Sequence, residues 1–146
     1  MSTLATLFVR DLNKLKSEIN SFEKPENLWR TEGSITNSSG NLCLHLVGNL
    51  KHFIGAIIGK TGYERKRDDE FSLKDIDRKV LVGEIEETKQ VVSDCLNNFE
   101  DEQLKSIYPI RVFGEDMTYE YFLLHLLGHL NYHLGQINYL RRILEP

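Results

Sequence analysis

Residues 125–136 read HLLGHLNYHLGQ and place His125, His129 and His133 at intervals of four, three of the five histidines in the chain. Four residues of α-helix advance about 6 Å and rotate about 40° past a full turn, so the three imidazoles form a slowly winding stripe. Neighbouring members of such a stripe can share one cation. The outer two stand roughly 12 Å apart along the axis, too far for all three to meet an ion whose bonds to nitrogen are about 2.0–2.1 Å. A complete site therefore needs a donor from another segment. His45 is the best one, because it lies on the inward side of the strongly apolar stretch GNLCLHLVGNLKHFIGAII, where an imidazole without a partner is costly; His52 is the alternative. Any one of these histidines, taken singly, also fits a ring that fills core space and donates to a backbone carbonyl. Three in helical register plus a fourth on a second apolar segment point instead to metal binding, and imidazole suits a divalent transition metal such as nickel or zinc, with copper and iron also open.

Several other chemistries lack their residues. Neither HLLGH nor HLNYH has glutamate after its first histidine, so the HExxH arrangement of metalloproteases, with its built-in base, is missing. Cys43 and Cys95 are the only cysteines and form no CxxC motif, which favours reduced, buried thiols over a redox pair or zinc knuckle. Cys43 also projects to a different side of its helix from His45, two residues away. Three neutral imidazoles would leave a metal's charge undiminished and its remaining coordination positions open, as in catalytic sites, and a bound water or thiol would lose its proton more readily. Asn49, in helical register with His45 and His52, and Gln136 are candidates to orient ligands from behind, and His125 and His52 stand as spare imidazoles. In the run Arg65-Lys66-Arg67-Asp68-Asp69-Glu70, Arg65 and Arg67 offer either a plain solvated loop or an arginine–carboxylate lattice that fixes the loop over the metal or receives an anionic thiol cofactor.

The elements that must position these residues are helical. In residues 3–23, Leu4, Phe8, Leu12, Leu15, Ile19 and Phe22 recur at steps of three and four, and Pro25 stops the helix they predict. An ordered loop follows, with Trp29 folded back on the bundle and Asn37-Ser38-Ser39 supplying cap oxygens. A second helix is expected over 40–58. GKTGYERKRDDEFS reads as a connecting loop that ends around Ser72 or Asp75. A third helix carries the stripe Leu81, Ile85, Thr88, Val92, Leu96 and Phe99, with Gly83 offered for close packing. Residues 101–116 read as a structured loop with a short extended piece, and a fourth helix as 117–144. Four long helices and no alternating strand pattern predict an all-α four-helix bundle, residues 1–146 as one domain. Its connections are longer than bundle hairpins require, so some are expected to cross the bundle or cover a site.

Composition narrows the partners. Of 146 residues, 40% are hydrophobic and 27% charged, a globular balance, and the net charge is −4. Basic residues are scattered apart from Arg65-Lys66-Arg67, so no nucleic-acid footprint is expected. No run approaches the roughly 20 apolar residues of a membrane span, and MSTLATLFVRDLNKLK lacks the pattern of a secretory signal, which predicts a cytoplasmic protein with no membrane partner.

HLLGHLNYHLGQINYLRRIL is similar to the last helix of the DinB/YfiT-like superfamily, where two histidines at i and i+4 precede Gly-Gln; His129, His133 and Gly135-Gln136 match. NSSGNLCLHLVGNLKHFI resembles the superfamily's second helix, whose single histidine corresponds to His45, and RKRDDEF looks like an Arg-x-Arg-Asp-x-Glu-Phe element of one uncharacterised branch. The resemblance implies an up-down-down-up bundle, frequently a homodimer, with a divalent metal on His45, His129 and His133. Characterised relatives include metal-dependent thiol S-transferases and a mycothiol-dependent maleylpyruvate isomerase. Thiol S-transferase-like chemistry, with a low-molecular-weight thiol and an electrophile as small-molecule partners, is therefore the leading expectation. A non-enzymatic metal-binding dimer and a metal-dependent hydrolase are the alternatives. Leu134 stands where many relatives carry arginine, a departure that bears on substrate more than on metal.

Overall fold

The computed structural model describes residues 2–146, and its elements follow from local caps and apolar stripes. α1 (Thr3–Ser21) opens with the Ser2 hydroxyl accepting from the Ala5 N–H and buries Ala5, Phe8, Leu12, Leu15 and Ile19. Pro25 then starts a 3₁₀ turn (Pro25–Trp29), where its missing N–H costs nothing, and Trp29 packs against the core over Gly40. α2 (Ser39–Leu50), capped by Ser38, is buried nearly all round and runs without a break into a π-helical turn (Lys51–Ala56). α4 (Arg78–Asn97) begins at the Asp77 cap and buries Leu81, Ile85, Thr88, Val92 and Leu96. α6 (Tyr119–Leu144) begins at Thr118.

Side-chain bonds between these four helices set their directions. Ser2 reaches the Leu96 carbonyl while Arg78 donates to the Phe22 carbonyl, so α1 and α4 are antiparallel. Asp11 meets Asn131 and Glu18 meets Asn138 and Arg141, so α1 and α6 are parallel. Lys51 donates to Glu84 at 2.6 Å and Glu87 at 2.9 Å, and Gly59 lies against Cys95, so α2 and α4 are parallel. α2 meets α6 through His45 with His129 and Phe53 with Phe122, the antiparallel order. The bundle is thus up-down-down-up.

Two short helices sit where loops were expected. α3 (Arg67–Ser72) interrupts the polar stretch after α2, and α5 (Asp101–Lys105) follows α4, closed by a reciprocal cap between Glu100 and Gln103. The extended piece expected after α5 is a single bridge, Ile107 with Thr118. At six and five residues the two helices are too short to display a helical period. Gly83 provides no close packing: it is exposed, and a Cβ there would meet nothing. Among the described residues no helix is long and apolar enough to cross a membrane.

Candidate metal centre

Antiparallel packing of α2 on α6 sets His45 opposite the i, i+4 pair His129 and His133. The His45 and His129 Nε2 atoms lie 3.1 Å apart, and those of His129 and His133 3.2 Å apart. One ligand atom from each of the three falls within 4.8 Å of the others. Nitrogens held at about 2.0–2.1 Å from a common cation stand roughly 2.9–3.4 Å apart across octahedral to tetrahedral angles, so these two Nε2 spacings fit one ion. Three imidazoles facing one another by their Nε2 edges make poor sense as ordinary core hydrogen bonding. Lone pairs meet there unless a proton or a metal lies between them. The three histidines are therefore positioned to bind a metal ion.

Their outer edges differ. His45 Nδ1 lies 3.0 Å from Glu70 Oε1 and 3.4 Å from Arg65 Nη2, and Glu70 is gripped by Arg65, whose Nε donates to Oε2 at 2.8 Å and Nη2 to Oε1 at 2.9 Å. His133 Nδ1 meets Gln136 Oε1 at 2.7 Å. His129 Nδ1 is buried with no hydrogen-bond partner. Burial works against a charge on Glu70, but the hydrogen bonds from His45 and Arg65 outweigh it and hold the carboxyl below its ordinary range. Burial also pushes His129 down, with His133 and His45 adding to the effect, to about 4. For His133, burial prevails over the support of Gln136, again downward. His129 and His133 are thus kept neutral at physiological pH, the form that ligates.

The remaining candidates divide. Arg65 and Gln136 touch the triad directly or through Glu70. Arg67 is exposed and lies over the Phe71 ring at 5.4 Å, while Phe71 covers the His45 ring at 4.9 Å. His125 is exposed, stacked 6.5 Å from His129 and edge-on to Phe113 at 4.8 Å, outside the cluster. His52 packs on Phe53 and is likewise outside it. Asn49 is buried with its Oδ1 unpartnered and bonds to none of the three rings. Cys43 is fully buried, and burial, with the nearby Glu84, raises its thiol to about 12, which leaves it inert.

Two site roles escaped the sequence reading. Glu70 stands in the sequence as one carboxylate of the possible arginine lattice, which Arg65 and Glu70 form, but not as the partner of His45. Gly48 is the other: a Cβ there would lie 1.9 Å from Glu70 Oε2, so the glycine makes the seat in which the carboxylate rests. A glycine in the middle of an apolar helix, three residues after a histidine, was the available signal.

A family model described as "Protein of unknown function (DUF1572)" matches residues 6–146. The chain belongs to the DUF1572 family. No curated protein matches it. Among solved structures, this DUF1572 chain is similar to a DinB-like protein from Bacillus cereus ATCC 10987, with a TM-score of 0.71 and 18% identity over 90% of this chain and 84% of that one. At that identity the likeness is one of fold, and the fold of the DUF1572 chain is accordingly DinB-like.

Proposed function

We propose that this DUF1572 protein binds one divalent transition metal through His45, His129 and His133 and uses it to activate a low-molecular-weight thiol for attack on an electrophile. The observation that carries the reading is the convergence of three imidazoles from two helices, with His129 Nε2 at chelating distance from the Nε2 of both His45 and His133. A divalent ion held by three neutral imidazoles supplies Lewis acidity that favours the thiolate over the thiol near neutral pH. The chain's own part is to hold those nitrogens unprotonated, which the burial of His129 and His133 supports. Glu70 approaches His45 from its Nδ1 side, away from the Nε2 cluster, and so is poorly placed as a base for a metal-activated water. That favours a substrate whose own acidic proton is easily lost, a thiol, over hydrolysis. Phe71, on the His45 ring, and Arg67, over the Phe71 ring, are the side chains offered to an anionic thiol.

The protein is also proposed to work as a homodimer. On α6, Tyr121, Leu124, Tyr132, Tyr139 and Ile143 are half to two-thirds exposed, and Gly128 and Gly135 open gaps between them. A two-fold axis would set this exposed ridge against its own copy, the closed arrangement of most homodimers.

Elemental analysis of gently purified protein tests the centre, with about one metal per chain expected and little in His129→Ala or His133→Ala. A thiol-by-electrophile screen on metal-loaded protein tests the chemistry. Turnover that persists in metal-stripped protein and in His133→Ala would exclude it, and metal-dependent cleavage of an ester or amide without thiol transfer would favour the hydrolase.

A further inference from the structure

Glu70 is held in place at some expense to the fold. Its side chain is only 6% exposed and that of Arg65 11%, and a buried ion pair is a weak source of stability because both groups lose their water. The seat requires glycine at position 48, inside a helix where alanine would be more stable. The short helix that carries Glu70 is tethered from below: buried Asn41 donates to the Glu70 carbonyl at 3.0 Å and the Leu73 carbonyl at 2.8 Å. Phe71 of the same helix lies on the His45 ring. Each feature brings a carboxylate to one atom, His45 Nδ1.

We infer that Glu70, clamped by Arg65 and seated on Gly48, is a positioning residue that fixes His45 as the Nδ1–H tautomer and thereby sets the metal affinity of the triad without touching the metal. The inference rests on the triad reading above. A carboxylate at Nδ1 accepts only from an N–H, which leaves the Nε2 lone pair of His45 aimed at the centre and makes that nitrogen a stronger donor. Gln136 presets His133 in the same sense through an amide oxygen. His129, with no outer partner, is free to place its proton on either nitrogen. A proton on its Nε2 would serve the two facing lone pairs, and a metal at the centre would require that proton at Nδ1 instead. The three ligands therefore form two preset donors and one adaptable one.

The test is cobalt(II) titration of metal-stripped protein, read by absorption, together with long-range ¹H–¹⁵N spectra of the histidine rings in the metal-free state. Wild type is expected to show His45 protonated at Nδ1. Glu70→Gln should weaken cobalt binding about 10- to 100-fold and mix the His45 tautomers. Arg65→Lys, which keeps the carboxylate but breaks the fork, should give a smaller loss in the same direction, and it carries the test if Glu70→Gln does not fold. A merely structural Glu70 would leave the tautomer unmoved. Wild-type cobalt affinity in the variants, or His45 protonated at Nε2 in the wild type, overturns the inference alone. A wild type that takes up no cobalt overturns the triad and the inference with it.

Discussion

His129 carries the least supported ring in the site and gives the clearest pH signature. Its pKa is about 4 in the folded chain, against an ordinary 6.5 when unfolded. Between those values the unfolded chain binds the extra proton, so stability is fully present above pH 6.5 and is lost as pH falls toward 4. Solvent screening at this part-buried ring keeps the difference below about 3 kcal/mol, and His133 shifts in the same direction. We expect the melting temperature of metal-free protein to drop steeply across this window and His129→Leu to flatten the drop; an equal slope in the variant would contradict the assignment. Gly48 gives the second prediction at this scale. Gly48→Ala gains about 1 kcal/mol of helix propensity but drives Glu70 off its partners, and breaking a buried pair costs about 3–5 kcal/mol. Net destabilisation and weaker metal uptake are expected, read by calorimetry and cobalt titration. The histidines were legible because their spacing is a property of one helix and because an imidazole in apolar surroundings needs a reason. Glu70 was legible only as one carboxylate of a possible arginine lattice: it acts on a side chain 25 positions away, and nothing local to RKRDDEF states which charge turns inward.

Among the elements, the four long helices were legible from their stripes to within a few residues, since each buries one continuous face. The π-helical turn was hidden because GNLCLHLVGNLKHFIGAII is apolar through the change of hydrogen-bond register, and the stripe alone cannot distinguish the two windings. α3 was hidden by length, and by drawing its stability from tertiary tethers instead of propensity. Asn41 is the main tether, which makes its loss measurable. Asn41→Ala leaves the carbonyls of Glu70 and Leu73 without their donor, a local cost on the order of 2–4 kcal/mol. Amides of residues 67–73 should then exchange with solvent markedly faster while those of α1 and α4 keep their protection. Unchanged exchange in α3 would mean that Glu70 and its ion pair anchor the helix unaided.

At the scale of the molecule, the outward face of α6 tests association. Leu124→Glu and Tyr139→Glu place charges on the exposed ridge but away from the triad. Sedimentation velocity should find wild type at twice the mass of the chain and the double variant at one chain, with metal content preserved. A monomeric wild type would remove the proposed interface. The bundle order itself followed from a resemblance, because stripes specify which face is buried but not which way each helix runs. Its consequence reaches the chemistry. Because α2 and α4 run the same way, the chain leaving the end of α2 and its π-helical turn must return along a length of about 27 Å before α4 can begin. On that return it passes the level of His45 and deposits Arg65 and Glu70 there. In an up-down-up-down bundle a tight hairpin would join the same two helices and nothing would pass the triad. Anyone transplanting these three histidines into a minimal scaffold, or trimming residues 57–77 to a short linker, would keep the ligands and discard the carboxylate behind them. The detour is part of the site's heritable unit.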